Sequence, residues 1–150
     1  MARDFMLKGT FLVEIDKVVS AEFQSCSELA VEVGESSYKQ GGSLIAKKQP
    51  GATVTFPDIT LERGVFDDDT DLLQWMKECV AVAEGTGANP SDLYRTIDVV
   101  QLDRAGNDVK RIRCFNAWCK RFSEGDFDAT SDDHRAESVV IACDYWEEAA

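Results

Sequence analysis

The side chains of this 150-residue chain that could carry covalent catalysis are five cysteines and one histidine. A cysteine nucleophile needs a nearby base, and His134 is the only imidazole available. It stands in the polar stretch Asp132-Asp-His-Arg135, which predicts a solvated loop before the last strand. Partners in such a dyad meet in space rather than in sequence, but no flanking signature of a cysteine enzyme supports one. We therefore expect no catalytic residue.

The cysteines also lack the spacing of a metal site or a disulfide framework. They are odd in number, widely separated and never form a Cys-x-x-Cys pair. Their positions are Cys26, Cys79, Cys114, Cys119 and Cys143. We expect reduced, mostly buried thiols and no bound metal.

Other residue clusters suggest ligand sites only superficially. The acids at 67–71 lack the Asp-x-Asp-x-Asp-Gly spacing and distal glutamate of a calcium loop, so they indicate a helix N-terminus. Gly41-Gly42 and Gly85-Thr-Gly87 lack a phosphate-binding pattern and predict turns. With 28 acidic residues in the chain, adjacent carboxylates are expected by chance and do not indicate hydrolysis. We expect no cofactor.

Basic and aromatic residues near position 115 could stack on nucleic acid bases. Strand alternation, however, puts Arg111, Arg113 and Phe115 on one face and Trp118 on the other. We predict that the arginines form salt bridges between subunits. The three tryptophans are predicted to pack in the core or at interfaces.

Charge and hydropathy narrow the possible partners. A formal net charge of −12 repels phosphate and anionic lipid, so direct binding to nucleic acid or a membrane surface is not expected. No apolar run approaches the ~20 residues that span a bilayer, and the first four residues lack the apolar core of a signal peptide. We expect a protein that is made in the cytoplasm and stays soluble.

The elements that would position these residues are mostly β-strands. Alternating apolar residues predict strands at 11–16, 21–26, 29–35, 52–62, 93–102, 109–122 and 138–146. The first three predict a short antiparallel meander, and Pro57 interrupts the fourth. Residues 103–107 predict a hairpin turn.

One helix is predicted over residues 69–84. Its apolar residues recur at spacings of three and four, at Leu72, Trp75, Met76, Cys79, Val80 and Ala83. The acids and threonine at 67–70 supply N-cap oxygens, and Gly85 and Gly87 end the helix.

A long polar segment separates the third and fourth strands. Residues 36–51 are too glycine-rich and polar for a core and long for a hairpin connection. Long loops in compact domains usually have a function. No repeat or proline-rich linker divides the chain, so we expect one domain over 1–150.

Taken in series, these segments resemble the tail tube family of contractile phages, R-type pyocins and extracellular contractile injection systems. The segments that carry the resemblance cover nearly the whole chain: Phe11-Leu-Val-Glu-Ile-Asp16, Gly41-Gly42, Lys47-Lys-Gln-Pro-Gly51, Ile59-Thr-Leu-Glu-Arg-Gly64, Asp71-Leu-Leu-Gln-Trp75, the strand pair at 103–113, Asn116-Ala-Trp118 and Asp126-Phe-Asp-Ala129. Each is weak alone, but the series is specific. The type VI secretion tube protein is a more distant relative with similar architecture.

The resemblance implies a mainly β fold, in which two antiparallel sheets form a barrel-like sandwich with one flanking α-helix. It also implies hexameric rings stacked into a hollow inner tube. The implied partners are further copies of the chain, a contractile sheath protein, baseplate and tube-terminating proteins, and a protein effector or DNA as cargo in the lumen. The alternatives are a specialised tube-like baseplate or adaptor subunit, a monomeric binding module, or a small hydrolase that uses cysteine or acidic residues.

By the same resemblance, successive rings touch through an N-terminal arm at 1–9 and an extended inter-ring loop at 36–51. The implied contact residues are Phe5, Met6, Gln40, Gly41, Gly42, Lys47, Lys48, Pro50 and Gly51. Lys47 and Lys48 would pair with acids of the next ring, with Glu32, Asp67 and Asp68 as candidates.

Overall fold

Strands dominate the fold. The computed structural model describes residues 7, 9–16, 23–39, 41–42, 44–64, 71–85, 93–130 and 132–149. The elements in these ranges are β1 (Phe11–Ile15), β2 (Ser25–Cys26), β3 (Glu32–Tyr38), β4 (Lys47–Thr55), β5 (Ile59–Gly64), α1 (Asp71–Glu84), β6 (Arg95–Leu102), β7 (Asp108–Ser123), β8 (Ala136–Ala142) and β9 (Tyr145–Ala149). The prediction of a mainly β fold with one helix is confirmed.

Two antiparallel sheets share the long strand β7. The first sheet has the order β1-β6-β7-β9, and the second has the order β7-β8-β5-β2. Within the described residues no ladder joins β1 to β2, so the sheets form an open surface rather than a closed barrel. The hairpin β3-β4 is a separate two-stranded sheet.

The predicted meander of the first three strands is wrong, because none of the three pairs with another of them. β1 pairs with β6 and β2 with β5, which are distant in sequence, whereas β3 pairs with the next strand, β4. The predicted face of β1 is correct, since Val13 and Ile15 are buried while Glu14 is exposed. These buried side chains lie opposite Val99 and Ile97 of β6. The pairing therefore follows the matching of buried faces, not order along the chain.

Two predicted strands are each divided in the structure. The strand predicted at 52–62 breaks at residues 56–58, around Pro57, and its halves β4 and β5 belong to different sheets. The strand predicted at 138–146 breaks at Cys143 and Asp144, between β8 and β9. A proline lacks the N–H that continues a ladder, which accounts for the first break.

The segment predicted as a loop at 36–51 is partly strand. β3 continues to Tyr38 and β4 begins at Lys47, so only the tip of the segment is irregular. Polar sequence suffices here because most residues of the hairpin are exposed and neither face needs to bury apolar side chains. Gly34 and Gly51 are the half-buried exceptions, and a Cβ on Gly51 would come within 3.0 Å of the Gly34 backbone.

The core lies where the two sheets and α1 meet. Its buried side chains are Val13, Ile15, Ile59, Leu61, Leu72, Trp75, Cys79, Leu93, Ile97, Cys114, Ala117, Cys119, Val139 and Ile141. Burial of Leu72, Trp75 and Cys79 confirms the predicted helical period, although Val80 and Ala83 prove to be exposed. The Trp75 indole N–H donates to the Leu93 carbonyl at 2.9 Å, which fastens α1 to the approach to β6.

The ends of the helix are only partly tested. Gly85 has φ of +69°, a left-handed conformation that confirms it as the residue that ends α1. The predicted N-cap residues at 67–70 and Gly87 lie outside the described residues. No helix among the described residues is long and apolar enough to cross a membrane.

A bulge in β7 overturns one predicted alternation. Ile97 lies opposite Cys114, while Arg95, two residues earlier, lies opposite Ala117, three residues later. The extra residue is Asn116, with φ of +54°. Cys114 and Ala117 are consequently both buried, so the predicted placement of Trp118 on the face opposite Arg111, Arg113 and Phe115 is wrong.

Candidate assembly surfaces

The potentially catalytic side chains lie in two different settings. His134 is exposed in the connection between β7 and β8, whereas Cys79, Cys114 and Cys119 are buried. All five cysteines are free thiols. Burial raises the pKa of Cys26 to about 11 and that of Cys119 to about 12, which keeps both protonated at neutral pH.

The partly buried Cys143 contacts Cys114. A hydrogen bond between the two thiols, together with burial, raises the pKa of Cys114. Within the described ranges, no cluster of three or more histidine, cysteine or acidic side chains could hold a metal ion. The described geometry therefore directs attention to surfaces that could bind other protein chains.

The first such surface is the hairpin β3-β4 with its tip, residues 32–55, which we name the hairpin arm. Its tip is strongly exposed, with Leu44 at 97% and Ile45 at 79%. Near it, Lys48 Nζ lies 3.7 Å from Glu35 Oε1 across the two strands. Exposed apolar side chains on a projecting element are typical of a protein interaction site.

The arm carries most of the contact residues predicted from the sequence. Gly41 and Gly42 lie in the tip, and Gly42 has φ of +84°. Lys47, Lys48, Pro50 and Gly51 lie in β4. Gln40, Phe5 and Met6 are outside the described residues. The sequence analysis missed Leu44, although an apolar Leu-Ile pair inside a polar loop was a signal that could have identified it.

The base of the arm is fixed where β8 ends and β9 begins. The Trp146 indole N–H donates to the Ala30 carbonyl at 2.9 Å, and the Trp146 ring meets Phe56 edge to face at 5.9 Å between centroids. Beyond Phe56 the chain enters β5, whose first residue Ile59 lies opposite Ile141 of β8. Trp146 therefore anchors both strands of the arm at one end of the second sheet.

The second surface lies at the other end of that sheet, in the connection from β7 to β8. Here residues 125–129 and 133–136 line a groove of about 740 Å³, which we name the acidic groove. Phe127 is 77% exposed, and the Arg135 guanidinium covers its ring with Cζ at 4.5 Å from the centroid. Arg135 Nη1 also lies 3.7 Å from Glu124 Oε2.

The acidic groove holds at least one carboxylate in a fixed position. Asp128 Oδ1 accepts hydrogen bonds from the Thr130 backbone N–H at 3.0 Å and from the Thr130 hydroxyl at 2.8 Å. These bonds hold the pKa of Asp128 below its usual range, so the group stays charged in mild acid.

The third surface is the outer face of the first sheet. Cross-strand pairing places Glu14, Asp98, Arg113 and Glu147 in one row across β1, β6, β7 and β9. Asp98 accepts hydrogen bonds from Arg111 Nη1 at 2.6 Å and Arg113 Nε at 2.9 Å. Burial raises the pKa of Asp98, but the bonds from the two arginines outweigh burial and lower it overall.

The arginines of this face have acidic partners within their own subunit. Arg111 also donates to Glu14 Oε2 at 2.9 Å, so both arginines belong to an intramolecular network. Salt bridges between subunits stay a prediction. The sequence could not identify the intramolecular network, because Asp98 lies on a neighbouring strand.

Two strand edges border this face. Among the described residues, β1 pairs only with β6 and β9 pairs only with β7. Each edge strand has five residues, and an unpaired edge offers N–H and C=O groups to another chain.

Comparison with known proteins identifies a matching family. The family model described as T4-like virus tail tube protein gp19 matches residues 8–147. No curated protein sequence matches the chain significantly.

Solved structures share the fold over nearly the full length. A chain in the cryo-EM structure of the anti-feeding prophage baseplate, 6-fold symmetrised, has a TM-score of 0.79 and 19% identity, covering 99% of this chain and 97% of that one. A chain in the cryo-EM structure of the PVC sheath/tube terminator in the extended state has a TM-score of 0.79 and 21% identity, and the match covers 100% of both chains. Hcp1 from Flavobacterium johnsoniae has a TM-score of 0.54 and 15% identity, and the match covers 91% of this chain and 94% of Hcp1.

Proposed function

This chain belongs to the T4-like virus tail tube protein family, and from this premise we propose that it builds the inner tube of a contractile phage tail or phage-tail-like injection particle. The observation that carries the proposal is the family match over residues 8–147, which covers nearly the whole sequence. The chain acts as a structural subunit of one domain over 1–150, and it catalyses no reaction.

The subunits close into hexameric rings through the edges of the first sheet. The four strands β1, β6, β7 and β9 alternate in direction, so β9 of one copy meets β1 of the next in antiparallel pairing. Six sheets joined in this way form a closed barrel, which removes the exposed edges of the first sheet. The 6-fold symmetry of the anti-feeding prophage baseplate, which contains a chain of similar fold, supports six as the number.

The outer face of the first sheet lines the conduit of this ring. In a closed ring the bulkier side of each subunit must lie outside, because circumference grows with radius. The side of the first sheet that carries Ile97 and Cys114 packs in the core with the second sheet and α1. Its opposite side carries the Glu14, Asp98, Arg113 and Glu147 row and is the thinner side. Cargo, whether a protein effector or DNA, passes along this polar surface.

Rings stack through the hairpin arm and the N-terminal arm at 1–9. The inter-ring residues are Phe5, Met6, Gln40, Gly41, Gly42, Lys47, Lys48, Pro50 and Gly51. The exposure of the arm tip supports this role for the described members of the set. The sheath-tube, cap and baseplate assemblies that contain similar chains support a sheath protein, a terminator and a baseplate as partners. Synthesis and assembly take place in the bacterial cytoplasm.

Native mass spectrometry of the purified protein tests ring formation. Six copies of the 16.6-kDa chain should give a species of about 100 kDa or multiples of it, at an ionic strength that screens the net charge of −12. Single rings that never grow would indicate the baseplate or adaptor subunit instead. A monomer at every concentration would indicate a binding module and contradict the proposal.

A further inference from the structure

The hairpin arm and the acidic groove lie at opposite ends of the second sheet. The groove opens where β8 begins, at Ala136, and the arm is anchored beyond the end of β8, at Trp146. The seven residues of β8 span about 20 Å at ~3.3 Å per residue. One copy therefore presents a projection at one end and a recess at the other. This arrangement suits head-to-tail contacts, which repeat without closing.

The two surfaces carry opposite charge. The hairpin arm, residues 32–55, includes three lysines and two acids, and its outer part, residues 36–51, holds all three lysines and no acid. The acidic groove is lined by three aspartates and one arginine, and two further acids flank its lining at Glu124 and Asp132. In a chain of net charge −12, a basic projection and an acidic recess attract each other while most of the remaining surface repels.

Each surface also exposes at least one large apolar side chain. Leu44 is almost fully exposed at the tip of the arm, and Phe127 is exposed at the groove. Arg135 stacks on Phe127, which holds the ring in place and leaves only part of it available for contact. An apolar contact surrounded by complementary charges is the usual anatomy of a protein interface.

We propose that the arm tip of one copy inserts into the acidic groove of a second copy. Leu44 contacts Phe127, while Lys47 and Lys48 face Asp126 and Asp128. The hydrogen bonds from Thr130 keep the Asp128 carboxylate oriented before the partner arrives. The inference rests on the proposed function, because it assigns the surface that receives the arm when rings stack. It also replaces Glu32, which lies on the arm itself, as the acidic partner of the lysines.

Zero-length crosslinking tests this pairing directly. Equal amounts of ¹⁵N-labelled and unlabelled full-length protein are mixed, treated with a carbodiimide that joins lysines to adjacent carboxylates, and analysed by mass spectrometry. We expect mixed-isotope peptides that join Lys47 or Lys48 to Asp126 or Asp128. Absence of mixed-isotope links, or links from these lysines only to other acids, would overturn the proposal.

Electron microscopy of the same sample separates this inference from the proposed function. Rods without the crosslink would remove the groove as the receiving surface and leave the tube intact. The crosslink without rings or rods would keep the pairing and remove the tube. If neither the crosslink nor any ring or rod is found, the arm-groove pairing and the proposed tube are both overturned.

Charge exchange provides the second test. Lys47→Glu with Lys48→Glu should abolish the crosslink, and so should Asp126→Lys with Asp128→Lys. Combining all four changes should restore it with the two charges exchanged. Lys77→Glu with Lys110→Glu makes the same charge change away from the arm and should leave the crosslink intact. A folded four-fold variant that restores no crosslink would show that these charges do not pair.

Discussion

At the scale of single residues, the core contains an ion pair that the apolar periodicity of the sequence does not predict. Arg63 and Glu137 lie opposite each other on β5 and β8, with Nε and Oε1 2.5 Å apart and both side chains almost fully buried. The Arg63 guanidinium also lies 5.7 Å from the centre of the Phe23 ring. Burial removes both charges from water, so the attraction between them must offset a large desolvation cost.

Removing one charge of this pair should be costly. We expect Glu137→Gln to lower the free energy of unfolding by about 3 kcal/mol, because the change replaces the charged partner of a buried guanidinium with a neutral amide. The exposed pair of Arg135 and Glu124 offers a matched control, and Glu124→Gln should cost less than about 1 kcal/mol. Urea denaturation of both variants measures the difference. Equal losses of unfolding free energy in the two variants would show that the buried pair contributes no more to stability than the pair of Arg135 and Glu124.

The Asp98 network should make stability depend on pH. The pKa of Asp98 is lowered in the folded state, so its stabilising contribution is complete above the unfolded value of about 4 and disappears as pH falls through the folded value. Asp98→Asn should therefore destabilise the protein more at pH 7 than at pH 3. Denaturation curves at the two pH values check the sign. A loss that is constant with pH would exclude the ionic contribution.

Residue-level prediction succeeded where the signal was local. The alternation at Val13 and Ile15 and the helical spacing of Leu72, Trp75 and Cys79 identified buried positions correctly. The partners of Arg63 and Asp98 escaped prediction because they lie on other strands. Cross-strand pairs depend on register, which the sequence of one strand does not specify.

At the scale of elements, the bulge at Asn116 allows β7 to serve both sheets. Its left-handed conformation would cost an alanine roughly 1 kcal/mol more than a glycine. Asn116 also donates to Asp144 Oδ2 at 2.9 Å, which ties the bulge to the β8-β9 turn. Both substitutions lose this bond, so their difference isolates the backbone conformation.

We therefore expect Asn116→Ala to be about 1 kcal/mol less stable than Asn116→Gly. Paired denaturation curves give the difference. If alanine is as stable as glycine, the chain must relax out of the left-handed conformation, and the bulge is not fixed by its residue.

The hairpin arm should be dispensable for folding but necessary for stacking. Tyr38 and Lys47 are paired, so a two-residue Asn-Gly turn can replace residues 39–46 without changing the register. We expect the unfolding free energy to stay within about 1 kcal/mol, because residues 39, 41, 42 and 44–46, the described part of the removed segment, are exposed. Sedimentation should then show rings without rods. Rods of normal length would show that the arm does not join rings.

Element prediction failed mainly where a strand has no buried face. β3 and β4 are almost wholly exposed, so alternation could not mark their ends, and the strand residues at 36–38 and 47–51 were predicted as loop. The tip residues 39, 41–42 and 44–46 lie outside the strands, in agreement with the loop prediction. The arm became recognisable only from the β3-β4 ladder and the Trp146 anchor.

At the scale of the whole molecule, one subunit offers complementary surfaces in two directions. In the proposed tube, the edges β1 and β9 contact neighbours within a ring, and the arm and groove join one ring to the next. A net charge of −12 per subunit opposes both contacts, so assembly should strengthen as salt screens the repulsion. The fold class was predictable from local patterns and family resemblance. The surfaces proposed for ring closure and ring stacking were not, because they depend on which strands lie at the sheet edges and on what lies at each end of the second sheet.

Cryo-electron microscopy of the purified protein in moderate salt is the most direct test of the proposal that this chain forms a tube. We expect hollow rods built from stacked six-membered rings, with the face that carries Glu14, Asp98, Arg113 and Glu147 turned toward the lumen. Particles that remain single subunits, or rods whose lumen is lined by α1 instead, would contradict the account.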